Sequence, residues 1–366
     1  MARYPSSNYS HNGRETVSAA ERRLLKRIRS LEDLNDPVVD QLRVTTNMTK
    51  PLPITGFSVS PTQFSMFLFR ALRLPPVSYD ALTRRIILYP PLSIVQRSLI
   101  QIFNNWLYVV SKRMQTLTNK AYERMLDVQL GLGGRYQDSY YFTHLALRES
   151  GAKHANIILE TGRGMPNSDG REFGSSYIYE KAARWFEGSN GTVRLIIIIL
   201  VTEDPLLPLR PSPTSSATSH LPSKILTPSN TLYWGLTSQQ ILKHSVSSLA
   251  NHIILEDLKS DLRTKVDIYC ATQSYPGHRG YAEHVWHGTF ETSGHLCTDH
   301  TSPLASSFSL PSLLLQKVKV QGEEKDFRIP FDEFCVLLPR AIKESRAEQA
   351  AHLARTTQEM IRKSRI

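Results

Sequence analysis

The sequence predicts an α/β fold: a central mixed β-sheet flanked by helices, with further helices at both termini and two disordered insertions. Three observations carry that expectation. Residues 156–202 read as a strand, a glycine-containing loop, an amphipathic helix and a second strand, through "NIILETG", "SSYIYEKAARWFEG" and "TVRLIIIILV". Two short strands and a long apolar-patterned helix are signalled upstream by "VSYDALTRRIILYPP" and "LSIVQRSLIQIFNNWLYVVSKRMQ". The proline- and serine-rich "PLLPLRPSPTSSATSHLPSKILTPSN" has the composition of a surface insertion with no core of its own.

In chain order, residues 1–15 are polar and aperiodic, which is the composition of a disordered start. Residues 18–34 place Leu24, Leu25, Ile28 and Leu31 at helical spacing, an amphipathic helix inside an N-terminal extension assigned to 1–59. Ser60 as N-cap and Pro61 at the first helical position open a helix on "TQFSMFLFRALRL", and the main domain, 60–345, starts there. After the hairpin and the long helix, "MLDVQLGLGGRYQDSYYF" gives a strand, a glycine turn and a strand. In the helix that follows, Ile178, Ala182, Trp185 and Phe186 share one face, and Gly188 is a natural stop. The insertions are assigned to 203–230 and 272–309, the second for its lack of apolar periodicity, and "KVDIYCA" reads as a strand between them. A short strand and one or two helices broken by Pro339 close the domain, and residues 346–366 form a basic C-terminal helix.

A chain of 366 residues buries a sizeable core without disulfides. Its three cysteines, Cys270, Cys297 and Cys335, are odd in number and far apart, which fits a reducing compartment. The first residues lack the apolar segment of a secretory signal, and "LIIIILV" is too short to span a bilayer. The expectation is an intracellular protein, cytoplasmic or nuclear, with no membrane association. Lysine and arginine exceed aspartate and glutamate by 44 to 33, a net charge of +11, which favours polyanionic partners, DNA ahead of others. The terminal helices offer a second kind of surface, for a protein partner.

Glu160 stands inside an apolar strand, where a charge is costly unless something compensates it. Asp138 lies 22 residues earlier, at the start of the preceding strand, and antiparallel neighbours would bring the two carboxylates together. Such a pair suits Mg²⁺, which keeps several waters and takes one or two protein carboxylates, and which activates water for attack on a phosphodiester. The tract "HRGYAEHVWHGTFETSGHLCTDH" offers His278, His284, His287, His295, Cys297 and His300 as zinc ligands, without the spacing of a short zinc motif. "GLGG" at 131–134 lacks the lysine and hydroxyl residue of a phosphate-binding loop and reads as a turn.

This order of parts resembles the Uma-type branch of the PD-(D/E)XK restriction-endonuclease-like superfamily, found in bacteria and expanded in fungi. "VSYDALTRRIILYPPLSIVQRSL", "QDSYYF", "ILETG", "AARWFEGSNGTVRLIIIILV" and "RIPFDEFC" follow the branch's successive elements, closely over 75–202 and loosely over 231–345. The resemblance implies a restriction-endonuclease-like core, with Asp138 and Glu160 as metal ligands and Mg²⁺ as cofactor. The superfamily's lysine two residues after the glutamate is replaced by Gly162; Arg163 beside it, or Lys181 on the next helix, stands in as the cationic group. In place of a "His-Glu" pair on the early helix the chain has Gln96. The resemblance therefore implies a Mg²⁺-dependent DNA phosphodiesterase with a degenerate catalytic set, Asp138, Glu160, Lys181 and Arg163. Its alternative is an inactive nuclease-fold module that binds nucleic acid or protein.

Overall fold

The computed structural model describes residues 18–45, 51–70, 76–164, 175–189, 191–203, 236–252, 262–271, 282–291, 296–297 and 329–363. The polar start and the first insertion lie outside these residues, except for Glu203. The described strands form one mixed ten-stranded sheet. Strand β1 (Leu52–Ile54) pairs with β3 (Arg85–Leu88), which forms a hairpin with β2 (Val77–Asp80). The sheet then runs through β5 (Tyr140–Glu149), β6 (Ile157–Gly164), β7 (Leu195–Glu203), β8 (Leu262–Ala271), β9 (Ala282–Phe290) and β10 (Leu296–Cys297), while β4 (Tyr122–Gly131) pairs with β5 from the side. Only β6 and β7 are parallel, and α5 (Ser175–Gly188) connects them; the short helices α6 (Ser238–Lys243) and α7 (Val246–His252) precede β8.

Three apolar clusters follow from the alternation of side chains along the strands. Odd-numbered residues of β6 and β7, such as Leu159 and Ile197, face α4 (Ile94–Thr118) and α8 (Phe334–Lys363). Even-numbered ones, such as Ile158 and Ile198, face Ile178, Ala182, Trp185 and Phe186 of α5. Because β7 is covered on both faces it reads as an unbroken apolar run, as a buried strand should. The third cluster joins α1 (Ala19–Arg27), α2 (Pro37–Thr45) and α3 (Pro61–Arg70) to β1, β2 and β3. The N-terminal residues from 18 onward thus add both helices and a strand to the layered fold.

Three expected elements differ. The helix expected over 18–34 ends at Arg27, because Ile28 is extended and the Asp33 carboxylate captures the N–H groups of Arg29 and Ser30 at 2.8 and 2.9 Å. Such local capture competes with helix continuation. The second insertion, 272–309, contains β9, where Trp286, Gly288 and Phe290 are buried in alternation; interspersed histidines concealed the period. At the C-terminus Pro339 does not divide the chain: α8 is one 30-residue helix that also runs through the 345/346 boundary. Phe334, Leu338, Ala341 and Ile342 bury into the α4 cluster there, offsetting an internal proline's cost of about 3 kcal/mol.

No helix among the described residues is long and apolar enough to cross a membrane.

Candidate functional site

Strand β5 has three neighbours for two edges. Strand β4 occupies one edge from Tyr140 to Glu149, so β2 and β6 share the other: β2 meets it at Tyr140, β6 only at Leu145, Ala146 and Leu147. The two strands part between those points and leave a fork over Tyr141–His144. Side chains satisfy the backbone in this gap: Ser78 Oγ accepts the Phe142 N–H at 2.8 Å, and Lys181 Nζ donates to the Phe142 carbonyl.

Glu160 sits beside the fork on the α5 face, 1 % exposed. Its register partner on β7 is Ile198, whose partner on β8 is Asp267, so both carboxylates lie on one row of the sheet, about 10 Å apart at the usual strand spacing. Lys181 and Trp185, four residues apart on α5, project to the same side and reach it together. Lys181 Nζ donates to Glu160 Oε2 at 2.8 Å and Trp185 Nε1 donates to Oε1 at 2.7 Å. The ammonium also lies 4.6 Å from the centroid of the Tyr89 ring. Burial pushes the Glu160 carboxyl up from its ordinary value, while Lys181 and Trp185 pull it back.

Next to the pair is a cavity of about 30 Å³ lined by Tyr89, Gln96, His144, Glu160, Arg163 and Lys181, among others. That is room for about two water molecules. Gln96 enters from the first turn of α4, capped by Ser93, and its Nε2 donates to Thr161 Oγ1 at 3.3 Å. Tyr89 closes the other side through hydrogen bonds to Ser78 and Tyr177 at 2.9 and 2.7 Å; burial pushes both tyrosine hydroxyls up, so they remain neutral. His144 Nδ1 lies 4.0 Å from Glu160 Oε2 and meets no hydrogen-bond partner among the described residues. Burial, reinforced by the Lys181 ammonium, drives this imidazole down to about 3, so it faces the carboxylate as a neutral ring.

Of the residues singled out by sequence, Glu160, Lys181 and Arg163 line this cavity, together with Gln96. Arg163 is on the opposite side of β6 from Glu160, and its buried Nε has no hydrogen-bond partner among the described residues. Asp138 is not brought to Glu160. It is exposed, at φ 67° in the turn before β5 begins. Continuing the Leu145↔Leu159 register by one step sets His144 opposite Glu160, and Asp138 lies six residues further along the chain, beyond the start of β5. Each Glu160 carboxylate oxygen accepts one N–H donor, so a cation there would share the carboxylate with Lys181 and Trp185. The surrounding groups are the Gln96 amide, the Thr161 hydroxyl, the neutral His144 imidazole and the Arg163 guanidinium.

Two groups were not anticipated from sequence: the Trp185 indole N–H, hidden in an apolar face, and His144, whose role depends on strand register. A second polar cluster lies further along the sheet. Asp267, 2 % exposed, accepts from Tyr179 and from His284 Nε2 at 3.1 Å, with Lys265 Nζ at 3.5 Å. Burial pushes the Asp267 carboxyl up, but these partners outweigh it and leave it below the ordinary range. His284 stacks between Tyr269 and His287, with centroids at 4.7 and 5.4 Å. Of the expected zinc ligands, His278, His295, His300 and the side chain of Cys297 lie outside the described residues. Among those described, no three His, Cys, Asp or Glu side chains are arranged to hold a metal ion. In comparisons with known proteins, no family model, curated protein or solved structure matches the chain.

Proposed function

We propose that this chain is a nucleic-acid-binding module on a nuclease-like α/β scaffold, and that it does not hydrolyse phosphodiesters. The observation that carries the reading is the closed state of Glu160: one oxygen holds the Lys181 ammonium, the other the Trp185 indole, and Asp138 is on a distant turn. Hydrolysis of the expected type calls for a metal-held water beside the phosphodiester, and a carboxylate neutralised inside the core is a structural ion pair instead. The net charge of +11 supports nucleic acid as the ligand class.

The test uses the full chain with fluorescently labelled duplex DNA, single-stranded DNA and RNA, and supercoiled plasmid in Mg²⁺ or Mn²⁺. Binding is expected, with an affinity that falls steeply with salt, and nicking no faster than with Asp138→Ala. Metal-dependent nicking that Asp138→Ala abolishes would overturn the reading in favour of a phosphodiesterase. Absence of binding to all three ligands would overturn the assignment of ligand class.

A further inference from the structure

We propose that the outward face of α1 is the surface that grips the phosphate backbone. The inference rests on the nucleic-acid reading above and adds to it a place on the fold. Helix α1 has two sharply different sides. Leu24 and Ile28, 0 % and 1 % exposed, anchor it in the N-terminal apolar cluster. Arg22, Arg23, Lys26 and Arg27 are exposed on the other side, and Arg29 follows just beyond the helix. At 100° per residue the four helical cations fall within an arc of about 140°, opposite the buried leucine and isoleucine.

Lys26 and Arg27 suit the dipole of the last turn, but the rest of this arrangement opposes what the helix alone would favour. Arg22 with Lys26, and Arg23 with Arg27, are like-charge neighbours one turn apart, which repel. Arg22 and Arg23 also lie toward the N-terminal end, where the helix dipole is already positive. Nearby carboxylates do little to relieve them. Glu21 accepts the Ser18 N–H at 2.7 Å in a capping box, Asp33 takes two backbone N–H groups, and Asp36 accepts the Val38 N–H at 2.8 Å, leaving Glu32 as the exposed acid of that stretch. No ion pair among the described residues includes the five cations. A capped helix that concentrates positive charge on one exposed face is complementary to a polyanion.

The choice between nucleic acid and an anionic membrane follows from the apolar side. A helix that lies in a lipid interface needs a free apolar face to bury there, and that of α1 is spent on its own core. The occupant that needs charge alone is a phosphodiester backbone, along which duplex DNA presents a charge about every 1.7 Å of axis.

The test replaces Arg22, Arg23, Lys26 and Arg27 with glutamine in the full chain, because glutamine retains helix propensity. The thermal midpoint and circular dichroism serve as folding controls. A charge-retaining variant, Arg22→Lys/Arg23→Lys/Arg27→Lys, is measured alongside on duplex DNA and on phosphatidylserine vesicles. The glutamine variant is expected to bind DNA at least about tenfold more weakly and to lose about 3–4 units from the slope of log K against log salt, at ~0.9 per phosphate contact. The lysine variant should bind like wild type. Wild-type DNA binding with an unchanged slope in the glutamine variant overturns the α1 surface and leaves the nucleic-acid reading intact. Failure of the wild type to bind duplex DNA, single-stranded DNA and RNA alike overturns both, and binding to vesicles but to none of these nucleic acids replaces the proposed occupant with a membrane.

Discussion

Breaking one half of the Glu160–Lys181 pair leaves the other as an uncompensated charge with almost no access to water, a loss of about 3–5 kcal/mol. Glu160→Gln and Lys181→Met are each expected to lower the unfolding free energy by an amount of that order, read from the urea midpoint and slope. The double variant restores neutrality in nearly the same volume and should recover much of the loss. Unfolding followed by tryptophan fluorescence measures all three; a double variant that merely sums the single losses would show that the residues do not act as a pair. Sequence pattern located half of this site. Glu160 stood out as a charge in an apolar strand and Lys181 as a basic group one helix away. Trp185 was legible only as a core residue, since hydropathy registers its ring and not its N–H. His144 and Asp138 depended on the β5–β6 register, which a single sequence leaves open by whole residues, and one residue of slip moves every side chain to the other face.

At the scale of elements, Gly162 lets α5 pack closely on β6. A Cβ at Gly162 would lie 1.9 Å from Ile178 Cδ1 and 3.3 Å from Cγ1. A side chain at that position would have to displace the end of Ile178, whereas glycine lets Ile178 close over β6. Gly162→Ala is expected to cost about 1–3 kcal/mol through overpacking. Ile178→Val, which deletes Cδ1, should restore most of that stability when combined with it, read from denaturant midpoints of the two single variants and the double. If Gly162→Ala is neutral alone, the close approach is not what holds the helix. The other elements were legible in proportion to their periodicity. β7, α4 and α5 carry long uninterrupted patterns; β9 alternates through histidine and glycine, and α2 has only Asp36 and Pro37 to announce it. Pro339 misled because packing of α8 on α4 overrides a local preference.

For the whole molecule, His144 gives stability a pH dependence of definite sign. Its folded value of about 3 lies below the ordinary 6.5, so the unfolded chain takes up a proton that the folded chain refuses. Stability is complete above about 6.5 and falls with acidification, by up to about 1.4 kcal/mol per pH unit and about 2 kcal/mol by pH 5. His144→Gln should flatten the curve between pH 6.5 and 4.5 relative to wild type, as measured by chemical denaturation at each pH; parallel curves would exclude the histidine as the source. Glu160 contributes with the opposite sign, its raised carboxyl favouring the folded state as pH falls, so the wild-type difference isolates the imidazole.

Strand β4 has consequences for how copies of the chain behave in solution. It pairs only with β5 among the described residues, so ten residues of backbone line one side of the sheet. Such an edge is a template on which a second strand could grow. Asp127, at φ 45°, interrupts the ladder between Leu126↔Leu145 and Val128↔Thr143, splitting the edge into 122–126 and 128–131. Neither run matches the six or seven regular residues that stacked cross-β segments use. With charged Glu123, Arg124 and Asp127 outward, the kink makes self-pairing unrewarding, so a single backbone angle protects the protein from its own longest open strand.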